Sequence, residues 1–236
     1  MEAYIGEALG TFILILVGHS VNANVSLAKT NGNDSGWIVT TWGWGIAVFI
    51  AVFMTANISG AHINPAVTIG LASAGNFEWA LVPGYIAAQM IGAFLGALCV
   101  WLQFRDHFDE TEDPATKLGV FSTAPAIPNT PINLFCETIA TFVLVLGVLY
   151  IAAPAVGLGA LDALPVGLLV FGIGMGMGGT TGYAINPARD LGPRLAHAVV
   201  PIKGKGSNDW GYAWIPVAGP ILGSIIAALV YRILPF

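Results

Sequence analysis

The sequence predicts an all-α membrane protein: six transmembrane helices plus two re-entrant half-helices that enter the bilayer without crossing it, arranged as an inverted repeat. Three observations carry this prediction. Of the 236 residues, 56% are hydrophobic and 9% are charged, and the mean hydropathy is +0.78, whereas a soluble domain carries about 25% charged residues. The apolar residues fall in blocks near the roughly 20 residues that a bilayer span requires. A ten-residue pattern from the first block also recurs in the second half of the chain.

The first block, 4–26, follows an N-terminus without the basic start of a signal peptide, and no small-residue cleavage site follows it. It therefore reads as a retained span. Further spans are predicted over 37–58, 80–103, 132–152, 163–179 and 212–233. Ser59 to Leu71, between the second and third, is apolar enough to enter a bilayer but too short to cross it. Gly182 to Asp190 sits likewise between the fifth and sixth. The longest polar stretch, 104–131, has an acidic run from Asp106 to Asp113 and prolines at 114, 125, 128 and 131. It reads as a solvated connection. One membrane domain fills 1–236, with halves of approximately 1–103 and 132–236 and no room for a separate soluble domain.

The net charge of −5 is spread over loops and suggests no nucleic-acid partner. Cys99 and Cys136 lie in apolar segments and read as packing residues, with no disulfide expected. The sequence has no nucleophile beside a base, no nucleotide loop and no metal-ligand cluster, so neither cofactor nor metal is expected and the chain does not read as an enzyme.

The repeat is visible residue by residue. Glu7-Ala8-Leu9-Gly10-Thr11-Phe12-Ile13-Leu14-Ile15-Leu16 matches Glu137-Thr138-Ile139-Ala140-Thr141-Phe142-Val143-Leu144-Val145-Leu146 at five identical positions. Each copy opens a half with three spans and one Asn-Pro-Ala. An odd number of spans turns the second copy upside down, and inverted repeats of this kind place a substrate path near the midplane, formed by discontinuous helices.

The tripeptides Asn64-Pro65-Ala66 and Asn186-Pro187-Ala188 have a physical reading. Proline is pre-shaped for the first helical position. Asparagine before it caps the helix with its side-chain oxygen, which leaves the amide NH2 as an outward donor. Two inverted half-helices would bring two such donors and two positive dipole ends to one place. The extended residues before each helix (Gly60, Ala61 and His62; Gly182 and Ala184) would offer unpaired carbonyls, tolerated at membrane depth only beside a wet cavity or inside protein. A path of that kind repels cations and protons and lets neutral hydroxyl compounds exchange their hydrogen bonds with water for bonds to the wall. A single Asn-Pro-Ala would suggest only a capped turn before a surface helix. Two copies in corresponding places of an inverted repeat do not.

The runs Ser59-Gly60-Ala61-His62-Ile63-Asn64-Pro65-Ala66-Val67-Thr68 and Asn186-Pro187-Ala188-Arg189-Asp190-Leu191-Gly192-Pro193-Arg194, with the two Glu-x-x-x-Thr openings, resemble the aquaporin (major intrinsic protein) family, and within it the glycerol facilitators. The resemblance covers essentially the whole chain. It implies a right-handed six-helix bundle with an hourglass pore in each subunit, assembled as a homotetramer in the cell membrane. It also implies a selectivity filter on the outer side of the asparagines, at Trp44, Gly174, Tyr183 and Arg189. There Trp44 and Tyr183 would form an apolar corner, Arg189 would offer donors to hydroxyl oxygens, and Gly174 would leave room that a histidine closes in water-selective relatives. Tyr183 departs from the phenylalanine more usual in that branch. Asp190, Arg194 and Pro216-Val217 match the branch, although a carboxylate in the first turn of a half-helix also favours its dipole.

Glu7 and Glu137 are carboxylates inside spans, where charge is costly and a functional role is the first hypothesis. The resemblance implies that both are buried and support the loops that hold the half-helices. A proton-coupled small-solute transporter using them is the alternative of a different class, and a water-selective pore is the nearest rival. For His62 a pore-lining carbonyl is expected rather than a pH gate. His19 shows no partner in the sequence, so packing or exposure is expected, and His107 and His197 lack ligand spacing. The pairs Gly6/Gly10, Gly92/Gly96, Gly172/Gly176 and Gly219/Gly223 read as helix-packing features. Lys29, Arg105, Lys117, Arg194, Lys203 and Lys205 fall in loops that the resemblance puts outside, against the positive-inside rule. The solutes implied are glycerol and water, with dihydroxyacetone, urea, hydrogen peroxide and protonated lactic acid of the same neutral class.

Overall fold

A computed structural model describes residues 1–151, 157 and 159–234. In chain order its α-helices are α1 (Glu2–Ser26), α2 (Trp37–Ser59), α3 (Pro65–Ala74), α4 (Val82–Gln103), α5 (Arg105–Glu110), α6 (Pro114–Phe121), α7 (Thr130–Tyr150), α8 (Leu164–Met177), α9 (Pro187–Val199) and α10 (Ile215–Ile233), with 3-10 turns before α4 and α8. Among the described residues, six segments are long and apolar enough to cross a membrane, and all six predicted spans fall on them. Residue 152, where the fourth span was expected to end, lies outside the described residues. The chain is a multi-pass membrane protein. Its spans carry exposed Ile91, Leu95, Leu222 and Leu229, with exposed tryptophans such as Trp79, Trp210 and Trp214 near their ends, an arrangement suited to lipid and its interface.

The packing repeats between halves. α1 lies against α2 and α4, while α7 lies against α10 and α8, and α2 meets α8 across the centre. Glycine permits the two closest crossings: a Cβ at Gly92 would land on the Ala8 carbonyl of α1, and one at Gly223 on the Thr138 carbonyl of α7. The expectation for Gly172/Gly176 needs correction, because a Cβ at either would meet nothing within 4 Å. The half-helices cross over. α3, from the first half, packs on α10, and α9, from the second, packs on α4.

Segment 104–131 is also corrected. It folds into α5 and α6, with Phe108, Val120 and Phe121 fully buried. Asp113 caps α6, accepting from the Ala115 and Thr116 amides and the Thr116 hydroxyl, and these bonds hold its carboxyl below the ordinary aspartate value. The basic residues near this face are mostly engaged. Lys29 pairs with Glu110, Lys117 donates to the Lys203 carbonyl, and Lys205 donates to the carbonyls of His197, Ala198 and Val200 at the end of α9.

Candidate conducting pathway

Each half-helix is set up by the residues before it. The backbone takes left-handed φ at Gly60 (82°), Ala61 (49°) and Ile63 (46°), and again at Gly182 (80°), Tyr183 (38°) and Ile185 (44°). Only glycine adopts this region without strain, so the four other residues need external restraint. Glu7 supplies it in the first half. Its Oε1 accepts from Ser59 Oγ (2.7 Å) and the His62 amide (2.9 Å), and its Oε2 from the Ile63 amide (2.7 Å) and Gln89 Nε2 (2.7 Å). Glu137 does the same in the second half, accepting from Thr181 Oγ1 (2.7 Å) and the Ala184 amide (3.0 Å) on Oε1 and from the Ile185 amide (2.9 Å) on Oε2. Both carboxylates are fully buried, and neither lines a cavity described below.

The asparagines cap as the sequence suggests. Asn64 Oδ1 accepts from the Ala66 amide at 2.8 Å, and Asn186 Oδ1 from the Ala188 and Arg189 amides at 3.0 and 3.2 Å. Their amide nitrogens are not both free, however. Asn64 Nδ2 donates to the Ile185 carbonyl at 2.8 Å, and Asn186 Nδ2 to the Ile63 carbonyl at 2.9 Å. The two half-helices thus clasp each other reciprocally. One N–H of each amide is used in the clasp, and a second remains.

Two cavities adjoin near this centre, and the smaller one reaches it. One, of about 140 Å³, is lined by Gly60, Ala61, His62, Asn64, Ala184, Ile185 and Asn186 together with apolar side chains that include Val48, Val52, Leu71, Leu144 and Val166. The other, of about 600 Å³, is more polar and is bordered by Asn22, Ser26, Asp34, Thr40, Thr116, Ser122, Thr123 and Gly182. Trp44, Tyr183 and Arg189 line both and form the wall between them.

These three side chains are closely positioned. The Arg189 guanidinium lies 4.3 Å over the Trp44 ring, a cation–π contact. Trp44 Nε1 donates to Asn22 Oδ1 at 2.9 Å, and the indole lies so close to Gly18 that a Cβ there would be 2.6 Å from it. Tyr183 meets Trp37 edge-on at 5.9 Å. Arg189 Nη1 and Tyr183 Oη are buried with no hydrogen-bond partner in the protein. Gly174 lines neither cavity. A Cβ there would lie 2.8 Å from Tyr183 Cζ and 2.9 Å from its hydroxyl, so the space that the missing side chain leaves is occupied by the tyrosine.

Asp190 lines neither cavity. Its Oδ2 accepts from the Thr123 amide (2.7 Å) and hydroxyl (2.8 Å), and its Oδ1 pairs with Arg194. Arg194 also donates to the carbonyls of Thr123, Asn208 and Asp209. This buried pair ties α9 to two flanking segments, a role that the sequence did not reveal for Arg194 or Thr123. The partners of His19 were also missed. The ring is fully buried, against the carbonyls of Val120 and Arg189. Because a buried histidine must find partners, its place in an otherwise apolar span was the available signal.

The family model described as major intrinsic protein matches residues 1–231. The chain is 55% identical to the probable glycerol uptake facilitator protein of Thermotoga maritima, over 98% of this chain and 99% of that one. It is also 55% identical to the glycerol uptake facilitator protein of Bacillus subtilis, over 98% and 84%. Among solved structures, the aquaglyceroporin from Plasmodium falciparum superposes with a TM-score of 0.87 at 32% identity, covering 99% of this chain and 96% of that one. The chain belongs to the major intrinsic protein family.

Proposed function

We propose that this protein is a passive, bidirectional channel for glycerol and water in the cell membrane that holds back ions and protons. One observation carries the reading: Trp44, Tyr183 and Arg189 line both cavities where they adjoin, with the Arg189 guanidinium over the Trp44 ring. A solute there meets a guanidinium, a fixed set of N–H donors for hydroxyl oxygens, beside aromatic faces that suit its carbon backbone. Its carbon backbone fits the apolar lining of the smaller cavity, while its hydroxyls meet the Asn64 and Asn186 amides and the backbone of 60–62 and 184–185. The Arg189 charge and the two half-helix N-termini set a positive barrier to cations and protons. The names of the two facilitators agree with glycerol as the solute.

Trp44, Tyr183 and Arg189 act as the selectivity filter, and Gly174 contributes by seating Tyr183. Glu7, Glu137 and Asp190 act as supports. The full set of bonds on Glu7 and Glu137, away from the cavities, weighs against a proton relay and so against coupled transport. Dihydroxyacetone, urea, hydrogen peroxide and protonated lactic acid belong to the same neutral class of solute, and the assembly is a homotetramer. The channel carries out no chemical conversion. Stopped-flow light scattering on proteoliposomes tests the reading: glycerol and water fluxes above those of empty liposomes are expected, unaffected by an imposed pH gradient. Glycerol flux equal to that of empty liposomes would remove the glycerol assignment, and flux driven by the gradient would favour a coupled transporter.

A further inference from the structure

His19 lies on α1 with its ring fully buried, and it lines neither cavity. Its Nδ1 is at the Val120 carbonyl of α6, and its Nε2 is 3.3 Å from the Arg189 carbonyl at the start of α9. The ring meets the Trp44 indole edge-on at 5.1 Å and 77°. One imidazole therefore touches three parts of the constriction: the main chain of Arg189, the aromatic platform under its guanidinium, and the α6 segment next to the mouth.

Volume alone does not require a histidine here. Phenylalanine or methionine would fill comparable space in an apolar span without the penalty of burying a polar ring. What histidine adds is an N–H. The neutral ring carries one and serves one of the two carbonyls at a time, and both are within reach. Loss of that donor strands the one carbonyl it serves, that of Val120 or of Arg189, and unties α1 from α6 or from the start of α9.

We propose that His19 is a positioning residue for the constriction, holding the Arg189 main chain and the Trp44 ring against α6 and so setting how sharply the pore discriminates between polyols of different size. This rests on the glycerol-channel reading above. The test uses the full-length protein in proteoliposomes, with glycerol, the four-carbon polyol erythritol, and water as probes. Water flux reports the number of intact pores. In His19→Phe, which keeps an aromatic ring but no donor, the glycerol-to-erythritol permeability ratio should fall about fivefold, the factor corresponding to a hydrogen bond worth about 1 kcal/mol. His19→Gln, with two N–H groups on a side chain of similar reach, should restore most of the ratio. If the phenylalanine variant does not assemble, His19→Met fits the same space flexibly, also without a donor. A ratio unchanged in the donor-free variant, or lowered equally in His19→Gln, would overturn the proposal. Wild-type protein that passes no glycerol would instead overturn the function on which it rests.

Discussion

Glu137→Gln tests what holds the second half-helix in place. The carboxylate accepts three hydrogen bonds, from Thr181 Oγ1, the Ala184 amide and the Ile185 amide. A glutamine carbonyl can keep only one side of this arrangement. If it faces Thr181 and Ala184, the new NH2 points at the Ile185 N–H, and two donors meet with no acceptor between them. If it is flipped, the Ala184 N–H is stranded instead. Each stranded buried donor costs about 1–3 kcal/mol, and the segment affected already carries left-handed φ at Tyr183 and Ile185. The segment should relax and move the Ile185 carbonyl, the acceptor for Asn64. The expected result is a lower thermal midpoint in detergent, followed by tryptophan fluorescence, together with reduced glycerol and water flux in liposomes. An unchanged midpoint with selectively abolished glycerol flux would refute this reasoning, because the carboxylate would then act in transport rather than in support.

Gly174→Ala should force Tyr183 toward the lumen, since the new Cβ would lie 2.8 Å from Tyr183 Cζ. Glycerol permeability should fall more than water permeability, and proportionate losses would show that the tyrosine does not narrow the path. Asp190→Ala leaves Arg194 charged and buried, and breaking such a pair costs about 3–5 kcal/mol. An Asp190→Ala/Arg194→Met double variant should melt at a higher temperature than Asp190→Ala alone. The Asp113 carboxyl sits below its ordinary value of 3.8 through its bonds to Thr116 and Ala115, so its stabilisation is present above that value and is lost as pH falls through the lower folded one. Hydrogen exchange at the Ala115 and Thr116 amides should accelerate over that acid range in the wild type but not in Asp113→Asn.

The spans were legible because hydropathy is a property of composition, and the lengths of α1, α2 and α4 follow the apolar blocks directly. The capping roles of Asn64 and Asn186 were legible because a cap depends only on adjacent residues. Segment 104–131 was not, because its prolines and acidic residues hide Phe108, Val120 and Phe121, whose burial depends on packing against the rest of the fold. The reciprocal use of the asparagine amides, the tyrosine seated on Gly174 and the partners of His19 each join residues far apart in the chain, which no local pattern records. The partners of the basic residues were hidden for the same reason. Arg194, Lys117, Lys205 and Lys29 are engaged by carbonyls or carboxylates that lie elsewhere in the chain or across a turn of helix.

The asparagine clasp has a consequence for biosynthesis. Its two bonds join residues 121 and 123 positions apart, and each half-helix rests on a spanning helix from the opposite half. A nascent chain that has delivered only its first half has neither the acceptor for Asn64 nor the α10 surface on which α3 packs. The clasp and the seat of α3 are therefore complete only once the second half of the chain, down to α10, is present.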